Sequence, residues 1–282
     1  MHPGLGTPQT SFTRNKSTGG QGGAIYSEGS LQVVGAFLNN QSSGSGGAVA
    51  VSEGTASLAG SFKYNSTDLG HGGAVYNADG VVTITGAVFD TNFAKGNGSA
   101  VATTSSLTVS WSQFFGNVAG TNALPSSGGG IDAWLATGKS MSVTDSDFNL
   151  NIAKGEGGGI ALRSGSITVS DTTFLFNSAS AGGGLFLGEE TTATISGGLF
   201  RFNSASTVVV VNGKNVFVPN GRAIAVSAGA TLTTGGVTFE TNWIKLLPAN
   251  GAANLPAGIH NEDPMNPDIW IDLQTNGGSR YE

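Results

Sequence analysis

The sequence predicts an all-β solenoid of about 8–9 rungs, and three observations carry that expectation. The first is a repeat: Phe-x-x-Asn occurs nine times, with Phe at 12, 37, 62, 89, 114, 148, 174, 200 and 239. The second is a small-small-aliphatic element after each of the first eight copies. These elements begin at Gly22, Gly46, Gly72, Gly98, Gly128, Gly157, Gly182 and Gly221, and recur every 24–26 residues where nothing is inserted. Such a period is the mark of one supersecondary unit stacked on copies of itself. The third is composition: 46 Gly and only 11% charged residues, with abundant Ser, Thr, Asn and Val. That mixture suits short strands joined by tight turns rather than long helices.

Each rung is read in one order: a Gly-rich strand, a turn, an alternating strand, a Phe-x-x-Asn corner and a small polar loop. Ahead of each Phe, the aliphatic residues Val33, Leu58, Ile84, Val109, Val143, Val169, Ile195 and Leu232 sit between small or polar neighbours. With a side-chain period of two they share one face, which is assigned to the interior. A second interior column is Ile25, Val49, Val75, Val101, Ile131, Ile160, Leu185 and Ile224. The paired glycines fit a corner that needs positive φ or a close backbone approach. They do not form a phosphate-binding loop, since neither Lys-Ser/Thr nor a helix follows. The asparagines Asn15, Asn40, Asn65, Asn92, Asn117, Asn151, Asn177, Asn203 and Asn242 form a third column. Asn tolerates left-handed backbone, and stacked amides can bond one another as a ladder.

The period is broken by insertions at 118–127, 133–139 and 204–220. The last contains Val208 to Val211, Asn212-Gly213 and Val216 to Pro219, a hairpin signal because Asn-Gly between β-rich runs favours a type I′ turn. Insertions in repeat proteins tend to protrude and carry variable function. We therefore read residues 1–243 as the solenoid and 244–282 as a C-terminal capping or linker segment. Within that segment Trp243 to Pro248 is expected to cover the core, 249–267 to be coil, and Ile269 to Leu273 to form a last strand.

Twelve basic against eighteen acidic residues give a net charge of −6, which disfavours nucleic acid and anionic membrane surfaces as partners. No Cys is present, so disulfides and thiolate metal sites are excluded. No run of about 18 apolar residues predicts a direct membrane span. The Met1-His2-Pro3-Gly4 start lacks the basic and apolar regions of a signal peptide. The first Phe-x-x-Asn also lacks the strand that precedes later copies, so the chain reads as a fragment or mature form cut near its first rung.

Phe-x-x-Asn alternating with Gly-Gly-Ala-Ile/Leu/Val resembles the paired motif of the chlamydial polymorphic outer-membrane protein repeat family, from Phe12 to Asn242. The resemblance implies a single-stranded right-handed parallel β-helix. It also implies a secreted, surface-exposed passenger of the autotransporter kind, extracellular and outer-membrane-associated, that works as an adhesin.

The expected function is accordingly adhesive or structural. The expected partners are a protein or glycan on a cell surface, or further rungs of the same large protein. No catalytic and no cofactor-binding residues are assigned, and the chain is expected not to be an enzyme. The alternative is a polysaccharide-active lyase or glycosidase built on Asp145 and Asp171, three before Phe148 and Phe174 on adjacent rungs, with Asp147 beside them. Two such carboxylates suit a glycosidase pair or a Ca²⁺ site. Lys154 and Arg163 are the nearest basic residues in sequence, and no convergent cluster is evident. A second alternative is an ice-binding face. Ser and Thr flank the interior aliphatic on six rungs, at Thr83/Thr85, Thr108/Ser110, Ser142/Thr144, Thr168/Ser170, Thr194/Ser196 and Thr231/Thr233. Thr is also simply favoured on exposed strands. His71 reads as a solvated loop residue. Tyr26 and Tyr76 share a column with Ala50, Ala102, Asp132, Ala161, Phe186 and Ala225, placed either for partner contact or against a neighbouring loop.

Overall fold

The computed structural model describes residues 10–121, 123–211, 214–219, 222–240, 242 and 244–246. The chain winds as a right-handed parallel β-helix of about eight turns, with no helix among the described residues. Turns are counted below by their phenylalanine, from the first (Phe12) to the ninth (Phe239). Three sheets run along the rod. The long sheet has 15 strands and carries the phenylalanines; the corner sheet and the glycine sheet have nine strands each.

Register follows from the repeat. In the long sheet Phe12, Phe37, Phe62, Phe89, Phe114, Phe148, Phe174, Phe200 and Phe239 are successive partners. Their rings stack in one file, with centroids 4.4 Å apart at Phe114–Phe148 and 5.3 Å at Phe200–Phe239. Parallel strands impose a spacing of ~4.8 Å, so rings of equal size fall into offset stacks without further adjustment. In the glycine sheet the aliphatic column from Ile25 to Ile224 pairs in the same way. From Val49 onward its members are fully buried, as are Val82, Ile84 and Phe89. Core thus forms wherever the period of two turns an aliphatic residue inward.

The paired glycines meet both expected demands. Gly72 has φ +68°, and a Cβ on Gly73 would meet the carbonyl oxygens of Ser99 and, at 2.5 Å, Phe93. The first glycine turns the chain and the second lets adjacent turns close.

Structure and sequence reading part in three places. Leu232 is interior, but it stacks on Ala193, and Thr234 takes the place opposite Ile195. Thr194 and Ser196 therefore pair with Thr233 and Gly235, because a shift of two residues keeps every side chain on its face. The left-handed residue at the corner is not the asparagine but the one before it. Arg14, Asn39, Tyr64, Thr91, Leu150, Phe176 and Phe202 have φ between 53° and 58°. That rotation aims the following asparagine inward. Finally, the column from Ala50 to Ala225 is not a free face: Ala50, Asp132, Ala161, Phe186 and Ala225 are buried, and Tyr76 is partly covered. Only Tyr26, at the first turn, is 50% exposed.

At the insertions, Trp134 is exposed and Leu135 buried. Ser204–Val211 begins in parallel with Ser178-Ala179, then turns back as an antiparallel hairpin with Lys214–Pro219. Ile244–Leu246 pairs in parallel with Ile224–Val226. The expectations for 247–273 lie outside the described residues.

Candidate functional site

The asparagine column forms a continuous ladder. Asn92 shows the unit: its Oδ1 accepts from Asn65 N–H at 2.9 Å and Asn65 Nδ2 at 3.0 Å. Its Nδ2 donates to Phe62 O and to Asn117 Oδ1, both at 2.9 Å. Every hydrogen-bonding position of the amide is used. The pattern continues through Asn117, Asn151, Asn177 and Asn203 to Asn242, whose Nδ2 donates instead to Phe200 O and Glu240 O. Asn40 to Asn242 are all buried; Asn15, at the first turn, is exposed but joins the ladder by donating its N–H and Nδ2 to Asn40 Oδ1 at 3.0 and 2.8 Å.

A second ladder, unread in the sequence, runs through the residue before the small-residue pair on four successive turns, ending at the Glu156 N–H. Ser45 Oγ accepts from His71 N–H, His71 Nδ1 from Asn97 N–H, Asn97 Oδ1 from Ser127 N–H, and Ser127 Oγ from Glu156 N–H, at 2.9–3.0 Å. Three kinds of side chain, Ser, His and Asn, do one job, which is why no motif announces it. His71 is therefore exposed at its rim but fixed at Nδ1, in the neutral form. Burial, then the charge of Arg163, lowers its pKa from 6.5.

Arg163 ties this ladder together. Its Nε donates to Asp132 Oδ1 at 2.8 Å and its guanidinium reaches Asn97 Oδ1 at 3.3 Å. Arg163 thus serves the glycine sheet and is not a partner of Asp145 or Asp171. Burial pushes the Asp132 carboxyl up from 3.8 to about 6 despite the guanidinium. Burial also raises Glu156, with Arg163 opposing, and raises Tyr76.

Asp145, Asp147 and Asp171 lie together on the outside of the long sheet. Asp145 (φ 46°) and Asp171 (φ 45°) hold the left-handed bend between the two strands of their turns. Asp147 is in register with Gln113 and Thr173. All three are exposed, and none pairs with a cation among the described residues. Among the described residues no three His, Asp or Glu side chains converge as a metal-binding group. The Asp171 carboxylate leans over Gly197 of the next turn.

The Ser/Thr array is straight and faces outward. Thr83, Thr108, Ser142, Thr168 and Thr194 are successive partners, and Thr85 Oγ1 lies 3.3 Å from Ser110 Oγ.

Between these columns and the asparagine corner lies the feature the sequence did not disclose. Phe115, Leu150, Ile152, Phe176 and Phe202 are exposed on four consecutive turns. Phe176 and Phe202 stack at 5.0 Å, and the Arg201 guanidinium covers the Phe202 ring at 4.7 Å. Leu150, Phe176 and Phe202 also hold the left-handed corner conformation, where a bulky side chain costs about 1–2 kcal/mol. Asn39 and Gly116 show that the corner accepts the residues this backbone prefers. The fold imposes that conformation on nearly every turn, so what sets this stretch apart is the run of large apolar side chains left exposed along it.

A family model described as the Chlamydia polymorphic membrane protein (Chlamydia_PMP) repeat matches residues 9–28, the first Phe-x-x-Asn and the first glycine pair. No curated protein and no solved structure matches the chain. The first turn is thus similar to a Chlamydia polymorphic membrane protein repeat, and the later turns renew its paired motif on the same β-helix.

Proposed function

We propose that this chain is a segment of a surface-exposed β-helix passenger of the autotransporter kind, that it acts by adhesion to a protein or glycan on a cell surface, and that it is not an enzyme. The observation that carries this reading is the paired repeat, matched by the family model in the first turn and renewed through Asn242. The family supports an extracellular, outer-membrane-associated location. The described residues include no helix long and apolar enough to cross a membrane, which says nothing of a β-barrel. A stacked rod spends its inward residues on the core and ladders, leaving the outward columns free to carry recognition. Further rungs of the same protein are the natural neighbours along the rod axis.

Beads coated with the purified chain are expected to attach to cultured epithelial cells above albumin-coated controls. Attachment lost after trypsin treatment of the cells points to a protein receptor, and loss after glycosidase treatment to a glycan. No attachment above control removes the adhesive reading. Incubation with acidic and neutral polysaccharides is expected to release no reducing ends or unsaturated products. Turnover abolished by Asp171→Asn would establish the enzyme alternative. Ca²⁺ bound weakly between Asp145 and Asp171 would raise the melting temperature of the wild type and not that of Asp145→Asn.

A further inference from the structure

We infer that the outer corner over the fifth to eighth turns is a docking surface for a protein segment that carries an arginine or lysine among apolar residues. The inference rests on the adhesive reading and names the partner chemistry of one surface. Outward residues of three consecutive strands line a shallow depression of about 310 Å³. One row is Gln113, Asp147 and Thr173; the other is Phe115, Asn149 and Leu175. The apolar ridge of Leu150, Phe176 and Phe202 rises on one side. The exposed carboxylates of Asp145 and Asp171, two residues before Asp147 and Thr173, flank the other.

The chemistry of this depression is incomplete in a specific way. Asp147 has no cationic partner among the described residues, and neither do its acidic neighbours. Asn149 Oδ1 is shielded from solvent and accepts no hydrogen bond. A buried acceptor left unpaired is costly, and turning the amide toward an incoming donor removes that cost. A lysine or arginine side chain supplies what is missing. Its aliphatic stem lies between Phe115 and Leu175, and its charged end reaches Asp147 and the turned Asn149. Apolar neighbours in the same segment then cover Phe176 and Phe202. Arg201, in register beside Leu175, does not take this role: it is paired to Glu240 at 3.0 Å and held over Phe202. A sugar ring fits less well, because stacking on sugars needs free ring faces. One face of Phe176 is taken by Phe202, and Phe202 meets both Phe176 and the guanidinium.

The test is selection from a random peptide library displayed on phage, with the folded chain as target. Clones are expected to converge on arginine or lysine flanked by aromatic or aliphatic residues. Synthetic peptides from those clones should bind at least about tenfold more weakly when the cation is replaced by Gln, and by a similar factor to Asp147→Asn. Phe176→Ser should weaken them as well, while circular dichroism of both variants stays that of the wild type. Failure to enrich any peptide, enrichment without a basic residue, or equal binding to Asp147→Asn overturns the inference. So does capture of glycans, and not peptides, on this corner. Bead attachment to cells is measured in parallel: attachment retained by Asp147→Asn and Phe176→Ser removes this docking surface and leaves adhesion standing, whereas its absence in the wild type removes both.

Discussion

Truncating one rung of the asparagine ladder tests the structure most directly. Asn92→Ala deletes one acceptor that serves Asn65 N–H and Asn65 Nδ2, and one donor group that serves Phe62 O and Asn117 Oδ1. Asn117 Oδ1 keeps its bond from Asn92 N–H at 3.0 Å, and Asn65 Nδ2 keeps Phe37 O. The damage therefore concentrates on Asn65 N–H, a buried donor with no alternative, with smaller losses at the other three groups. One orphaned buried donor costs ~1–3 kcal/mol, and the remaining losses bring the expected total to about 2–5 kcal/mol. Asn92→Asp should be worse at neutral pH, because it keeps the acceptor but sets a carboxylate oxygen against Phe62 O and Asn117 Oδ1. Thr85→Ala is the control: its hydroxyl is exposed and meets only Ser110, so the change should stay within about 0.5 kcal/mol. The assay is guanidinium unfolding followed by far-UV circular dichroism, reporting midpoint and slope together. A defect in mid-array can also uncouple the two halves, which lowers the slope. An Asn92→Ala variant as stable as Thr85→Ala, with unchanged slope, would refute the ladder as a source of stability.

Phe89→Ala removes a fully buried ring stacked at 4.8 Å on both Phe62 and Phe114. It should cost ~3–5 kcal/mol in the same unfolding assay, since the neighbouring rings cannot close the gap. Gly73→Ala should abolish or severely weaken folding by setting a methyl against Ser99 O and Phe93 O, and expression with normal thermal stability would contradict the register. The carboxyl of Asp132 is raised from 3.8 to about 6 in the fold, so the stability it contributes is full below 3.8 and is lost as pH rises through about 6. Asp132→Asn should flatten that part of the pH–stability curve. His71, lowered from 6.5, acts oppositely: its contribution is present above 6.5 and lost as pH falls through its folded value, so His71→Gln should lessen acid sensitivity. Deleting 206–219 should leave the rungs folded, because Leu185–Leu187 and Ile224–Val226 already pair across the insertion. Bead attachment then reports whether that hairpin contributes to binding.

The sequence by itself determined whatever repeats with a fixed side-chain period. The phenylalanine file, the aliphatic column, the asparagine ladder and the glycine pairs were legible because each turn presents the same residue type to the same partner one turn away. Tertiary structure decided what depends on neighbours rather than on identity. The ladder through Ser45, His71, Asn97 and Ser127 uses three kinds of acceptor for one backbone contact, so it leaves no motif. The left-handed corner falls on Arg14, Tyr64, Phe176 and Phe202, which share no side-chain property, because it is imposed by the asparagine that follows. Leu232 slid two residues along its column because alternation fixes a face and not a position on it. Arg163, near Asp171 in sequence, belongs to Asp132 because the strand points it to the other side of the rod. The apolar ridge beside Asp147 appears only when residues about 26 apart are brought ~4.8 Å from one another by parallel pairing.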